Sequence, residues 1–225
     1  MSVIPVRDGA QGLELFVQHR QQTMDFAPGA VVFPGGRCDP LDGTAGAGLS
    51  LPEQVVDEHV RRWAAIDLSG ADPRVRARTL LATGLRELFE ETGLRAEASA
   101  LVPWDRWVTP AWSPKRFDVA FFVLPVEADA PGQPRHQTTE ATRSGWDGAA
   151  ALLRDEREGR LTLLTPTRVI IEELVALGDV GAVMDLRPVI SGVRDDRPES
   201  RPRSSVGWPA TGQRWDGVGR VARER

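Results

Sequence analysis

The stretch RELFEETGL, residues 86–94, places three glutamates, Glu87, Glu90 and Glu91, within one and a half helical turns. At 3.6 residues per turn, positions i, i+3 and i+4 share a face. Leu81, Leu85, Leu88 and Phe89 lie on roughly the opposite side, which predicts a buried apolar stripe and an exposed acidic one. Like charges at this spacing cost an isolated helix only about 0.2–0.5 kcal/mol per pair. Two readings follow from the residues alone. One is an ordinary solvated acidic face. The other is a set of hard oxygen ligands for a divalent cation.

The surrounding sequence frames this helix well. Asp72 is placed to cap its start, Pro73 suits its first turn and Gly93 its end. Upstream, alternation of Leu13, Leu15 and Val17 predicts a strand over 13–20, and AVVF at 30–33 predicts a second. The latter runs straight into Pro34-Gly35-Gly36, where the chain must turn. Residues 39–52 read as loop and 53–66 as an amphipathic helix. Strands are expected near 100–109 and 117–124. A polar loop over 127–145 precedes helices over 147–158 and from Thr165 to about Gly178. Beyond 191 the composition turns to Arg, Gly, Pro and Ser, with Trp208 and Trp215 as the large hydrophobes, which reads as a flexible tail over 191–225. The order of elements suggests one α+β or mixed α/β/α domain.

Composition narrows the function classes. The chain has 225 residues, 41% hydrophobic and 27% charged, with a net charge of −4, which argues against a general nucleic-acid binder. Cys38 is the single cysteine, so an intrachain disulfide and a thiolate zinc cluster are excluded, and a cytoplasmic setting is expected. No signal peptide and no membrane-spanning run is visible. His19, His59 and His136 are scattered and read as ordinary surface or partly buried residues. No phosphate-binding loop or dinucleotide fingerprint is present.

FPGG at 33–36 followed by Arg86, Glu87, Leu88, Glu90, Glu91, Gly93 and Leu94 resembles the signature of the Nudix hydrolase superfamily. That box runs Gly, five residues, Glu, seven residues, then Arg-Glu-apolar-x-Glu-Glu-x-Gly-apolar. Gly36 matches the leading glycine. Two departures stand out. The signature has 13 residues between glycine and arginine, whereas residues 37–85 number 49, an excess of 36; and the position of the first glutamate is occupied by Asp42. A box interrupted by a helical insertion resembles the branch that includes the peroxisomal acyl-CoA diphosphatases and their bacterial relatives. MDFAPGAVVFPGGR at 24–37, TPAWSPKRFDVAFFV at 109–123, and Glu140 followed by Trp146 carry that likeness. The motif set associated with another CoA-cleaving Nudix group, just ahead of the box, is not evident.

The resemblance implies an α+β fold, a Nudix-type α/β/α sandwich with a mixed β-sheet. The Nudix domain would span 1–190, with an insertion over about 43–72 that forms a helical lid or flank. It implies a diphosphatase for a nucleoside diphosphate linked to another group, with CoA or acyl-CoA favoured. ADP-ribose, dinucleotides and nucleotide sugars stay open, as does a non-catalytic nucleotide-sensing module. Glu87, Glu90 and Glu91 are the implied ligands of Mg2+ or Mn2+, with Glu90 and Glu91 central to catalysis. Glu140 is the candidate general base, though a box glutamate could serve instead. Arg37, Lys115 and Arg116 are candidate phosphate contacts, and Phe117 or Trp112 could stack on a base; a basic loop and core aromatics are the alternative reading. Gly35, Gly36, Arg86 and Gly93 are read as structural support, with Arg86 pairing with Glu90 or a loop carboxylate. The expected partner is a small nucleotide substrate, with no nucleic acid and no membrane; a homodimer is left open.

Overall fold

The structure, a computed structural model, describes residues 1–24, 26–64, 72–109, 116–186, 190 and 194–195. A mixed sheet forms its centre. The strands are β1 (Ser2–Gly9), β2 (Gly12–Arg20), β3 (Ala30–Val32), β4 (Val102–Val108), β5 (Asp118–Pro125), β6 (Ala141–Gly148), β7 (Thr162–Leu163) and β8 (Arg194–Asp195). Their order is β7-β3-β2-β1-β5-β4-β8, and β6 pairs with β2. β1 runs antiparallel to β2 and parallel to β5.

Alternation along the strands divides the core in two. Ile4, Val6, Leu15, Val17, Phe121 and Val123 face one layer, closed by α4 (Ala149–Arg157) and α5 (Thr165–Leu177). Val3, Ala120, Phe122 and Leu124 face the other, where Leu80, Leu81 and Leu88 of α3 (Pro73–Thr92) complete the packing. Two helical layers around one sheet give the expected α/β/α sandwich.

The helix carrying the acidic stripe is framed as expected. The Asp72 side chain accepts from the backbone N–H of Arg74 and Val75, Pro73 opens the helix, and Gly93 ends it in the left-handed region at φ 70°. Its apolar stripe is narrower than the periodicity implies. Leu81 and Leu88 are buried, Leu85 is half-buried, and Phe89 is exposed with the Arg95 guanidinium 3.9 Å above its ring.

Several elements differ from the sequence expectations. Ser2–Gly9 forms a strand not foreseen. Within 39–52, where a loop is expected, α1 (Pro40–Ala47) forms because Asp39 and Asp42 build a reciprocal capping box and Pro40 opens the first turn. The expected 127–145 loop gives way at Ala141 to β6, whose polar residues are held by antiparallel pairing with β2 rather than by alternation. A short helix, α6 (Val180–Asp185), follows α5.

α2 (Glu53–Arg62) lies in the expected insertion and is built into the core. Val56, His59 and Arg62 are buried, and Trp63 and His59 both pack on the Phe122 ring. His59 is thus fully inside, and burial pushes its pKa down to about 4. Residues 65–71, 110–115 and nearly all of the expected tail, including Lys115, Trp112, Trp208 and Trp215, lie outside the described residues.

Candidate active site

The interruption of the box is closed in space. Gly35 N–H donates to Glu91 Oε2 at 2.8 Å. Gly36 sits so close to the next ligand candidate that a methyl placed on it would lie 2.4 Å from Glu87 Oε1. Gly35 is required by close approach, since a methyl there would meet the backbone oxygen of Met1 at 2.3 Å, whereas a methyl at Gly36 would push the Glu87 carboxylate from its place. Pairing dictates the position of this turn. β3 is fixed on β2 through Gln18↔Val32, and Gly35 bridges to Ser2 at the start of β1. The glycines thereby reach the last two turns of α3.

Arg86 fastens the two halves. Its Nε and Nη2 donate to Asp42 Oδ1 and Oδ2 at 2.8 and 2.9 Å, and Nη2 also donates to the Arg37 carbonyl at 3.0 Å. Nη1 reaches Glu87 Oε1 at 2.9 Å and Glu90 Oε2 at 3.0 Å. Both expected pairings, with Glu90 and with a loop carboxylate, occur together. The loop carboxylate is Asp42, the residue in place of the signature's first glutamate. It is buried, with its side chain 3% exposed, and also accepts from Thr83 Oγ1 and the Asp39 N–H. The Arg86 guanidinium holds its pKa down at about 2, and in return Asp42 keeps Arg86 firmly protonated.

The three glutamates occupy different environments. Glu90 is 54% exposed and Glu87 only 13%. Burial raises the pKa of Glu87, with the neighbouring Arg86 opposing the rise. Glu91 is more enclosed. Burial pushes it up to about 7, only partly offset by hydrogen bonds from Gly35 N–H and from Gln18 Nε2 at 3.0 Å; the charges of Glu87 and Glu140 raise it further. Among the described residues, no three Asp, Glu, His or Cys side chains are gathered so as to hold a metal ion without moving. Arg86 draws Glu87 and Glu90 toward Asp42, while Gln18 and Gly35 hold Glu91. The donor set nevertheless fits a hard divalent cation: three carboxylates on adjacent turns, one of them, Glu91, held among the described residues by the neutral donors Gln18 Nε2 and Gly35 N–H.

The other sequence candidates are spread around this centre. Glu140 is 52% exposed and faces Arg20, with Oε2 3.4 Å from Nη1. The loop leading to it is tied to the end of α3: Arg135 N–H donates to the Thr92 carbonyl at 3.0 Å and Gln137 N–H to that of Glu91 at 3.3 Å. Arg37 is exposed beside the glycines, and Arg116 is exposed at the foot of β5. Phe117 is half-buried and packs on Phe26, ring centroids 4.3 Å apart. Gln18 and Arg20 were not singled out from the sequence. The one available sign was strand alternation: if Leu13, Leu15 and Val17 face one layer, Gln18 and Arg20 face the other, toward α3.

No profile of a known protein family matches the sequence, and no curated protein sequence matches it. Solved structures do. The chain is similar to a Nudix hydrolase from Alicyclobacillus acidocaldarius at 25% identity and a TM-score of 0.64, covering 84% of this chain and 95% of that one. Looser likenesses include the Nudix domain of Shewanella oneidensis NrtR, solved with ADP ribose (15% identity, TM-score 0.45, 76% and 81% covered). A third is RenU, a Nudix hydrolase of M. smegmatis (16%, 0.42, 82% and 86%). The architecture, the match to the first of these and the reassembled glycine–glutamate contact agree: the chain has the Nudix fold, and its likeness to a Nudix hydrolase supports a hydrolase acting on phosphoric anhydrides.

Proposed function

We propose that this hydrolase cleaves the diphosphate bond of a nucleoside diphosphate linked to another group, with CoA or an acyl-CoA as the favoured substrate. The observation that carries the reading is the closure of the interrupted box, Gly35 N–H on Glu91 and Gly36 against Glu87, although 49 residues separate its glycine from its arginine. The CoA preference rests on the split box and the 24–37 and 109–123 stretches described above. In the proposed mechanism Glu87, Glu90 and Glu91 would hold Mg2+ or Mn2+. Such an ion, when bound, supplies positive charge against the diphosphate oxygens. Arg86 keeps the acidic turn against the glycine loop, and Gln18 fixes the Glu91 carboxylate. Glu140, with Arg20 beside it, takes the proton of the attacking water. Arg37 and Arg116 are exposed cations suited to the substrate's phosphates.

The test is a panel of CoA, acyl-CoA, ADP-ribose, NADH, diadenosine polyphosphates and nucleotide sugars, incubated with Mg2+ or Mn2+ and resolved by chromatography. Cleavage of CoA or acyl-CoA to adenosine 3′,5′-bisphosphate is expected to be fastest. Glu91→Gln should abolish turnover while keeping its oxygen for Gly35 N–H. Preferred cleavage of ADP-ribose, a dinucleotide or a nucleotide sugar would reassign the substrate. Tight binding without cleavage of any compound would make the protein a nucleotide sensor instead.

A further inference from the structure

The turn between β2 and β3 carries an aromatic residue that the mechanism above does not use. Phe26 leaves 41% of its surface in water. It meets the half-buried Phe117 ring at 4.3 Å and 41°. Ala27, directly after it, has φ 49°, the one positive φ outside glycine among the described residues. A left-handed alanine costs about 1–2 kcal/mol, a strain that persists only where surroundings impose it. That residue directly follows Phe26 in the turn.

The pair lies at the same end of the sheet as the acidic helix. Gln18, which holds Glu91, and Arg20 lie on one side of β2, about 7 Å apart along the strand. Arg20 Nε donates to the Phe26 carbonyl at 3.1 Å, and its Nη1 faces Glu140. Phe117 stands four residues before Phe121, which pairs with Ser2, the residue bridged to Gly35. An exposed aromatic face, with Arg20 on the Phe26 carbonyl, the exposed Arg116 next to Phe117 in sequence, and the carboxylates reached along β2, matches an amphipathic planar ligand with an anionic tail.

Building on the nucleotide reading above, we propose that Phe26, backed by Phe117, is the platform on which the nucleobase of the substrate stacks, and so a specificity-determining residue. Stacking draws on the π-face of the base and is lost when the ring is removed.

The experiment measures binding of ADP and of inorganic diphosphate, which lacks a base, by calorimetry with Mg2+ present. It also measures KM and kcat on whichever panel compound is cleaved. Phe26→Ala should weaken ADP roughly tenfold or more, leave diphosphate unchanged and raise KM with kcat within about twofold; Phe26→Trp should restore both. Undiminished ADP affinity in Phe26→Ala, equal loss for ADP and diphosphate, no ADP binding by the unaltered protein, or a loss confined to acyl-CoA would overturn the platform. The two readings fail separately. Hydrolysis with ADP binding indifferent to Phe26 sinks the platform alone, and Phe26-dependent ADP binding without any cleavage sinks the hydrolase reading alone.

Discussion

Replacing Asp42 by asparagine tests how the two halves of the site are joined. The change keeps size and shape but removes the charge that Arg86 grips with two hydrogen bonds. The carboxyl's pKa falls from its ordinary 3.8 to about 2, which corresponds to about 2 kcal/mol of preference for the ionised form in the folded state. Hydrogen bonds to charged groups contribute about 1.5–3 kcal/mol, which gives the same range. The side chain is buried, so solvent screens little of this. Asp42→Asn should therefore lower unfolding stability at pH 7 by about 2–3 kcal/mol in urea titrations. The sign with pH is fixed as well. A depressed folded pKa stabilises above the unfolded value of 3.8, and that contribution disappears as pH falls through about 2. The gap between the original protein and the Asp42→Asn variant should close over that window. A loss below about 0.5 kcal/mol at pH 7, or a gap unchanged at pH 2, would refute the argument.

Other expectations follow from the same geometry. Glu140→Gln should cost about 100-fold in kcat and flatten the acid limb of the rate profile, with the melting temperature unchanged; a native profile would remove Glu140 from proton transfer. Gly93→Ala forces a side chain into φ 70° with its methyl 2.3 Å from Gln137 Oε1, so thermal unfolding should report a loss of at least ~1–2 kcal/mol. His59 is buried uncharged, its pKa down from 6.5 to about 4, so its contribution of about 3 kcal/mol is complete above pH 6.5 and lost as pH drops toward 4. Urea midpoints measured across that interval should fall with pH, and a flat series would contradict the burial argument.

The long acidic helix was legible because its signals are local. Asp72, Pro73 and Gly93 punctuate it, and no distant contact is needed to read them. The sandwich layers were legible where Leu13, Leu15 and Val17 alternate. β6 was not, because Thr142, Arg143 and Ser144 owe their strand to the ladder with β2, a contact over 120 residues away in sequence. α1 was hidden by two glycines, a proline and a single alanine-rich turn, which read as loop until Asp39 and Asp42 are seen to cap one another. Asp42 shows the limit most clearly. Its offset from Gly36 could be counted, but its grip on Arg86 depends on folding 44 residues of chain back upon themselves. Gln18 and Phe26 likewise gain meaning only from what lies across from them.

The placement of the Asp42–Arg86 clasp has an evolutionary corollary. The clasp shuts only six positions after Gly36, before nearly all of the extra chain has begun. Whatever lies between Asp42 and Asp72 leaves and re-enters at two anchored posts, so lengthening or exchanging that excursion need not alter the spacing of glycines and glutamates. A catalytic signature can thus be cut open and decorated without drifting, provided the stitch falls ahead of the graft.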